Sequence, residues 1–177
     1  MPKAILYIAS SLDGYIAGKD DDLSWLVPFQ DVDYHYEAFF SNIGAIIEGR
    51  RTYDIEIKNG WESAHPVPLF VLSKDTSTRK PARSDVVFTN DDIARVLASA
   101  REKAAPKDVW IIGGANVAQQ FINRGLIDEI ILTLVPLLLG EGIRLFDNVR
   151  AQAFFFLEDI KRFDKDLVQL VYAASKG

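Results

Sequence analysis

Val109-Trp110-Ile111-Ile112-Gly113-Gly114-Ala115-Asn116-Val117-Ala118-Gln119-Gln120-Phe121-Ile122 is the stretch whose reading decides the fold. Its first four residues are apolar, too few for a helix and rich in β-formers, so they read as a buried strand. Two glycines follow. Ala118, Phe121 and Ile122 then recur at helical spacing, and Gly125 stands where a helix C-cap belongs. A strand that turns through Gly-Gly straight into a helix puts no Cβ in the way of an incoming group. It also aims the free N–H groups of the first helical turn, and the positive end of the helix dipole, at that group. Phosphates bind at such places. The pattern equally serves as a plain strand-to-helix connection, and this stretch alone leaves both readings open.

A second turn of the same kind lies upstream. Gly44 to Glu48 is a short apolar strand, followed by Gly49-Arg50-Arg51-Thr52-Tyr53. A glycine at a strand end, two fixed cations and a hydroxyl at a helix start suit an anion, phosphate above all. Two other strands end in polar groups. Ala4 to Ala9 runs into Ser10-Ser11-Leu12-Asp13-Gly14, with Tyr15 to Gly18 beyond the Asp-Gly turn. Val67 to Leu72 runs into Ser73-Lys74, with Pro68 at its entry. Right-handed crossovers bring the turns after Ala9, Glu48, Leu72 and Ile112 to one sheet edge, where a long phosphate-bearing ligand can lie.

The rest of the chain supplies the layers. Trp25, Leu26, Pro28 and Phe29 form an apolar loop that needs cover from the core or from a flat ligand. The spacing then predicts a helix from Asp31-Val32-Asp33, with Val32, Tyr36, Phe39, Phe40 and Ile43 on one stripe. Asp31 is its natural N-cap. Asp33 falls on the flank beside Phe40. There it reads either as a second helix-start acid or as a carboxyl able to hold or protonate a polar heterocycle. Trp61 to Pro66 is a loop, and Asp85 to Thr89 a short strand. Asn90 caps a helix that buries Ile93, Val96, Leu97 and Ala100. Ile127 to Pro136 is a long strand, and Leu137 to Gly142 an apolar run closed by glycines. Phe154 to Lys161 and Leu167 to Ala173 form a hairpin. Alternating strands and helices with a closing antiparallel pair predict a mixed α/β sheet covered on both faces.

With 177 residues, 49% apolar and 25% charged, the chain suits one globular domain over 1–177. A net charge of −5 without a basic run argues against nucleic acid or an anionic membrane as partner. The absence of Cys excludes thiol chemistry and fits a cytoplasmic setting. No apolar run reaches membrane-spanning length. The P-loop, the G-x-S-x-G elbow and the Rossmann G-x-G-x-x-G are missing. His35 and His65 have no metal-ligand spacing, so no metal is expected.

The stretches SSLDG-YIAG, GRRTY, VLSK, WIIGGANVAQQF and LTLVPLLLGEGIRLF occur in the order found in the dihydrofolate reductase-like fold. The chain resembles, within that fold, the reductase domain of the bacterial bifunctional deaminase-reductase (RibD C-terminal) family of riboflavin synthesis. The resemblance implies a three-layer α/β/α architecture and an NADPH-dependent reductase of a pyrimidine or pterin-type substrate. By that resemblance Gly49, Arg50, Arg51 and Thr52 would hold adenosine-side phosphates. Leu72, Ser73 and Lys74 would flank the adenine ribose and its 2′-phosphate. Gly113, Gly114, Ala115, Asn116 and Val117 would cradle the pyrophosphate, with a cis Gly113-Gly114 peptide. Backbone at Ala9, Ser10 and Ala17 would hold the nicotinamide. Asp33 takes the place of the acid that anchors a pterin and Thr133 that of its supporting hydroxyl, with Trp25, Phe29, Tyr36 and Glu37 completing the substrate side. Two positions depart from the folate reductases: Val67 replaces the arginine that clamps the glutamyl carboxylate, and Glu37 replaces an aromatic. The zinc-bearing deaminase half is absent. Dihydrofolate reduction and non-catalytic NADPH binding are the alternative functions. Leu137-Leu138-Leu139 and Phe154-Phe155-Phe156 offer more apolar surface than one small sheet uses, which predicts a homodimer.

Overall fold

The computed structural model describes residues 1–61, 65–76, 81, 83–150 and 152–175. Residues 62–64 of the expected 61–66 loop lie outside these. In chain order the elements are β1 (Ala4–Ser11), β2 (Tyr15–Ala17), α1 (Tyr36–Phe40), β3 (Ile43–Gly49), α2 (Arg50–Asn59), β4 (Leu69–Leu72) and β5 (Val86–Thr89). They continue with α3 (Ile93–Ala104), β6 (Asp108–Gly113), α4 (Ala115–Asn123), β7 (Glu129–Val135), β8 (Ile143–Arg144), β9 (Phe155–Arg162) and β10 (Val168–Ala174).

Eight strands form one sheet in the order β5-β4-β3-β6-β1-β7-β10-β9. The first six run parallel, β10 lies antiparallel to β7, and β9 antiparallel to β10. The central strands are apolar almost without interruption because both their faces are covered. On one face α3 and α4 pack over Leu6, Ala45, Ile47, Val109 and Ile111. On the other, α1 and α2 lie over Ile43, Ile46, Leu69, Val71 and Trp110. Residues 45 to 47 therefore alternate between the two cores, as strand geometry requires. The helix α3 buries Ile93, Val96, Leu97, Ala100 and Ala104, the stripe expected from its spacing extended by one turn. Among the described residues no helix is long and apolar enough to cross a membrane.

A second, two-stranded sheet joins β2 to β8, a pairing the sequence did not suggest. Asp13 ties it in place. Its carboxylate accepts from the Ser11 hydroxyl, from Gly140 N at 2.7 Å and from Leu139 N at 3.1 Å. The Ser11 hydroxyl, with these amides, holds the Asp13 carboxyl down to about 2. Gly142 then passes so close to β2 that a Cβ would stand 2.1 Å from Ala17 O.

Three expectations are corrected. The helix expected from Asp31 begins only at Tyr36 and ends at Phe40, and Ile43 starts β3. Two features cause this. Val32 and Tyr34 pack on a separate core of Trp25, Val135 and Leu167 rather than continuing the stripe of Tyr36. The Asp33 carboxylate accepts the His35 N–H at 2.7 Å, and His35 takes a left-handed φ of 57°. Such a side-chain turn competes with helix. Asp31 accordingly caps nothing and faces Lys165. At α3 the N-cap is Asp92, whose carboxylate accepts from Ala94 N at 2.9 Å, and not Asn90.

Gly44 is the tightest point between β3 and α3. A Cβ there would meet Ala104 O at 2.3 Å and Ala104 Cα at 2.7 Å. Since the obstacle is backbone, no rotamer relieves it. Gly44→Ala is expected to cost about 1–3 kcal/mol in urea denaturation, and an unchanged midpoint would contradict this packing.

Candidate functional site

The site grows from the parallel register. Glu48 pairs with Gly113, Gly49 with Leu72, and Leu72 with Thr89. The strands β3, β6, β4 and β5 therefore end at one level, and the segments after them stand side by side. The α2 helix starts directly after Gly49 and α4 directly after Gly114, neither with a side-chain cap. Their first-turn N–H groups are left for another acceptor. Between the turns, Gly114 N donates to Thr52 Oγ1 at 2.8 Å. The Gly113-Gly114 peptide is cis. A Cβ on Gly49 would stand 3.1 Å from Val117 Cγ2, so the glycine lets the two turns meet.

Along these strand ends lies a cleft of about 700 Å³. Gly49, Arg50, Arg51 and Thr52 line it from one turn; Gly114, Ala115, Asn116 and Val117 line it from the other. Leu72, Ser73 and Lys74 extend the wall past β4; Thr89, Asn90 and Asp91 extend it past β5. Ala9 and Ala17 line it from β1 and β2. Ser10 and Gly113 are buried and do not line it. The cations are already positioned. Arg50 Nε reaches both Asp54 oxygens at 3.0 and 3.1 Å, and Arg51 Nε reaches Asp21 at 2.6 Å. Each guanidinium keeps further donors for an anion.

The expected substrate residues are placed elsewhere. Asp33 precedes α1, its side chain is 82% exposed, and it does not line the cleft. Trp25 is a core residue, and Phe29 packs beside it. Tyr36 stacks on Phe40 within the α1 core, and Glu37 is exposed. Thr133 is buried in β7, where its hydroxyl accepts from Gln169 Nε2 at 3.1 Å. In their stead the cleft is walled by Tyr7, Leu23, Leu26, Ile55, Glu56, Trp61 and Ile112.

Two acids escaped the sequence reading. Glu48 is wholly buried, and neither carboxylate oxygen has a partner among the described residues. Glu56, 9% exposed, lies on the buried face of α2 one turn after Tyr53 and lines the cleft. Burial, then the Glu56 charge, pushes Glu48 up to about 9. Burial pushes Glu56 up to about 7, against the Arg83 cation. The available signals were a lone charge ending an apolar strand and an acid at i+3 from a buried tyrosine.

A mostly parallel sheet with helices on both faces and a cleft across its strand ends defines a dihydrofolate reductase-like α/β protein. The chain belongs to the RibD C-terminal domain family, whose model matches residues 2–169, and with it to a reductase-like group. The uncharacterized protein YyaP of Bacillus subtilis (strain 168) is 30% identical, covering 96% of this chain and 94% of its own. The riboflavin biosynthesis protein RibD of Corynebacterium ammoniagenes is 27% identical over 80% of this chain and 45% of that protein. Among solved structures, a Shewanella sp. PV-4 protein described as belonging to riboflavin biosynthesis superposes with TM-score 0.85. It is 27% identical, covering 98% of this chain and 99% of that one.

The buried acids give stability a sign with pH. Between the ordinary value of 4.5 and about 9, folded Glu48 keeps a proton that the unfolded chain has released. Stability therefore falls as pH rises through that window, at up to about 1.4 kcal/mol per pH unit. Glu56 adds a loss of the same sign between 4.5 and about 7. Glu48→Gln cannot ionise, so its denaturation midpoint is expected to vary less with pH than that of the parent. Equal slopes in the two proteins would contradict the buried carboxyl.

Proposed function

We propose that the protein is an NADPH-dependent reductase of a small, flat, polar substrate of the pyrimidine or pterin type. The observation that carries this reading is the convergence of two uncapped helix starts and three cations, Arg50, Arg51 and Lys74, on one wall of one cleft. A dinucleotide needs such a wall: N–H groups for its pyrophosphate, and cations for a 2′-phosphate. The residues fit the group. Gly113 has φ +112°, and a Cβ on Gly114 would fill the space beside Thr52 Oγ1, at 3.5 Å. Bare backbone there admits a phosphate.

When bound, the nicotinamide supplies a hydride. The chain supplies position. Arg50, Arg51 and the starts of α2 and α4 take the phosphates. Lys74 and Ser73 take the adenosine side. Ala9, Ile16, Ala17 and Ile143, which also line the cleft, bound the nicotinamide. Holding two reactants face to face in a dry slot is the larger part of such catalysis. Membership of the RibD C-terminal family supports the reductase class.

Cofactor binding is followed by fluorescence titration, and turnover by absorbance loss at about 340 nm, the reduced nicotinamide band, with a panel of pyrimidines, pterins and small carbonyl compounds. Oxidation with a panel member is expected. Tight binding with no turnover on any of them would replace the reading with non-catalytic NADPH binding. Lys74→Ala is expected to weaken NADPH about tenfold or more, a charge-assisted contact of roughly 1.5–3 kcal/mol, and to leave NADH unchanged. Equal losses for both would remove Lys74 from the 2′-phosphate.

We also propose a homodimer. Phe156, Leu157 and Ile160 on the edge strand β9, with Phe154 just before it and Leu138 nearby in sequence to β8, are exposed. An edge strand bearing large apolar side chains is covered in a stable protein. Sedimentation velocity at micromolar concentration is expected to give twice the chain mass; a monomer would refute the proposal.

A further inference from the structure

The cleft lining is of two chemical kinds. Arg50, Arg51 and Lys74 suit phosphates. Tyr7, Leu26, Ile55, Glu56 and Trp61 offer rings, aliphatic surface and a carboxyl. Arg83 acts on Glu56 from outside the cleft lining, and its guanidinium is held by Asp85 and by the carbonyls of His65 and Val67. Glu56 is nine-tenths buried and lines the cleft, and its oxygens are not sealed off as those of Glu48 are. Behind it Glu48 is wholly buried with both oxygens unpartnered. Buried polar groups are hydrogen-bonded in nearly every protein. Two adjacent carboxyls shielded from water cannot both stay ionised. Glu56, which lines the cleft as Glu48 does not, is therefore the carboxyl of the pair that a donor entering the cleft can reach.

We infer that this part of the cleft takes a flat, phosphate-free ligand that offers a cationic or N–H-rich nitrogen edge to Glu56, while Glu48 stays protonated behind it. The inference rests on the reductase reading only in making Glu56 and its neighbours the substrate side. Other titratable groups stand near the pair. Burial raises the hydroxyls of Tyr7 on β1 and Tyr36 on α1, the latter to about 12. Burial lowers His65. Glu56 is the group of the pair that responds to the ligand. With an imine substrate, hydride from NADPH forms the new C–H bond while the pair's proton forms the N–H bond and the C=N π bond is lost. The carboxylate left behind then recovers a proton from solvent.

Benzamidine and benzoate are flat probes of the same shape and opposite charge, and calorimetry on the full chain with saturating NADPH compares them. Benzamidine is expected to bind about tenfold or more tighter than benzoate. Its affinity is expected to rise from about pH 6 to about pH 8, with a proton released on binding, as read from buffers of different ionisation heat. Glu56→Gln is expected to weaken benzamidine about tenfold while NADPH affinity stays within about twofold. Glu48→Gln, which mimics the protonated acid, is expected to keep both the binding and most of the proton release. Benzoate binding as tightly as benzamidine, or Glu56→Gln binding benzamidine like the parent, would overturn the inference. The benzamidine arm is repeated without NADPH, so a failure of NADPH to bind removes the reductase reading and leaves the Glu56 result to stand or fall separately.

Discussion

The hydrogen bond from Gly114 N–H to Thr52 Oγ1, 2.8 Å long, joins two helix starts 62 residues apart in the chain. Much of the site depends on it. It fixes the start of α4 against the start of α2, so that two sets of unpaired N–H groups face one space instead of two. It is possible because Gly49 and Gly114 carry no Cβ where the turns meet: one on Gly49 would crowd Val117 at 3.1 Å. The parallel register beneath, with Glu48 opposite Gly113, puts the turns at the same height before the hydrogen bond is made. Packing of α3 and α4 on the sheet sets that register, so the cleft is a consequence of the core.

Electrostatics then give the cleft lining two kinds of group. Cations sit where backbone N–H groups are also available, and each arginine is pre-oriented by a carboxylate, Asp54 for Arg50 and Asp21 for Arg51. These surface pairs add little stability on their own. What they do is hold long side chains in place, which lowers the entropy lost when an anion arrives. The carboxyls of Glu48 and Glu56 stand on the sheet side of α2, where burial opposes their charge. One helix thus presents cations at its first turn and an acid one turn further on.

Much of this was legible in the residues. Apolar runs at Ala4–Ala9, Gly44–Glu48 and Val109–Ile112 behave as strands covered on both faces, and the spacing of Ile93, Val96, Leu97 and Ala100 reproduces the buried side of α3. The two glycine turns were visible because backbone without a Cβ leaves a mark in any sequence. What was not legible depends on contacts between distant segments. The start of α1 was misplaced because Val32 and Tyr34 belong to a core completed by Val135 and Leu167, more than a hundred residues away. The pairing of β2 with β8 relies on Gly142 approaching Ala17, which no local pattern announces. Asp33 looked like the acid of the site, but its side chain turns back on His35 N–H. Glu48 and Glu56 become notable only once α1 and α2 have closed over the sheet.

The most direct measurement of the account is amide hydrogen exchange with and without NADPH, read by mass spectrometry on peptides covering the cleft. One cleft shared by two turns predicts slower exchange in segments 49–54, 72–74 and 113–118 together, at one NADPH concentration, with the exposed β9 strand unchanged. Protection in only one of the two glycine turns, or in neither, would contradict it.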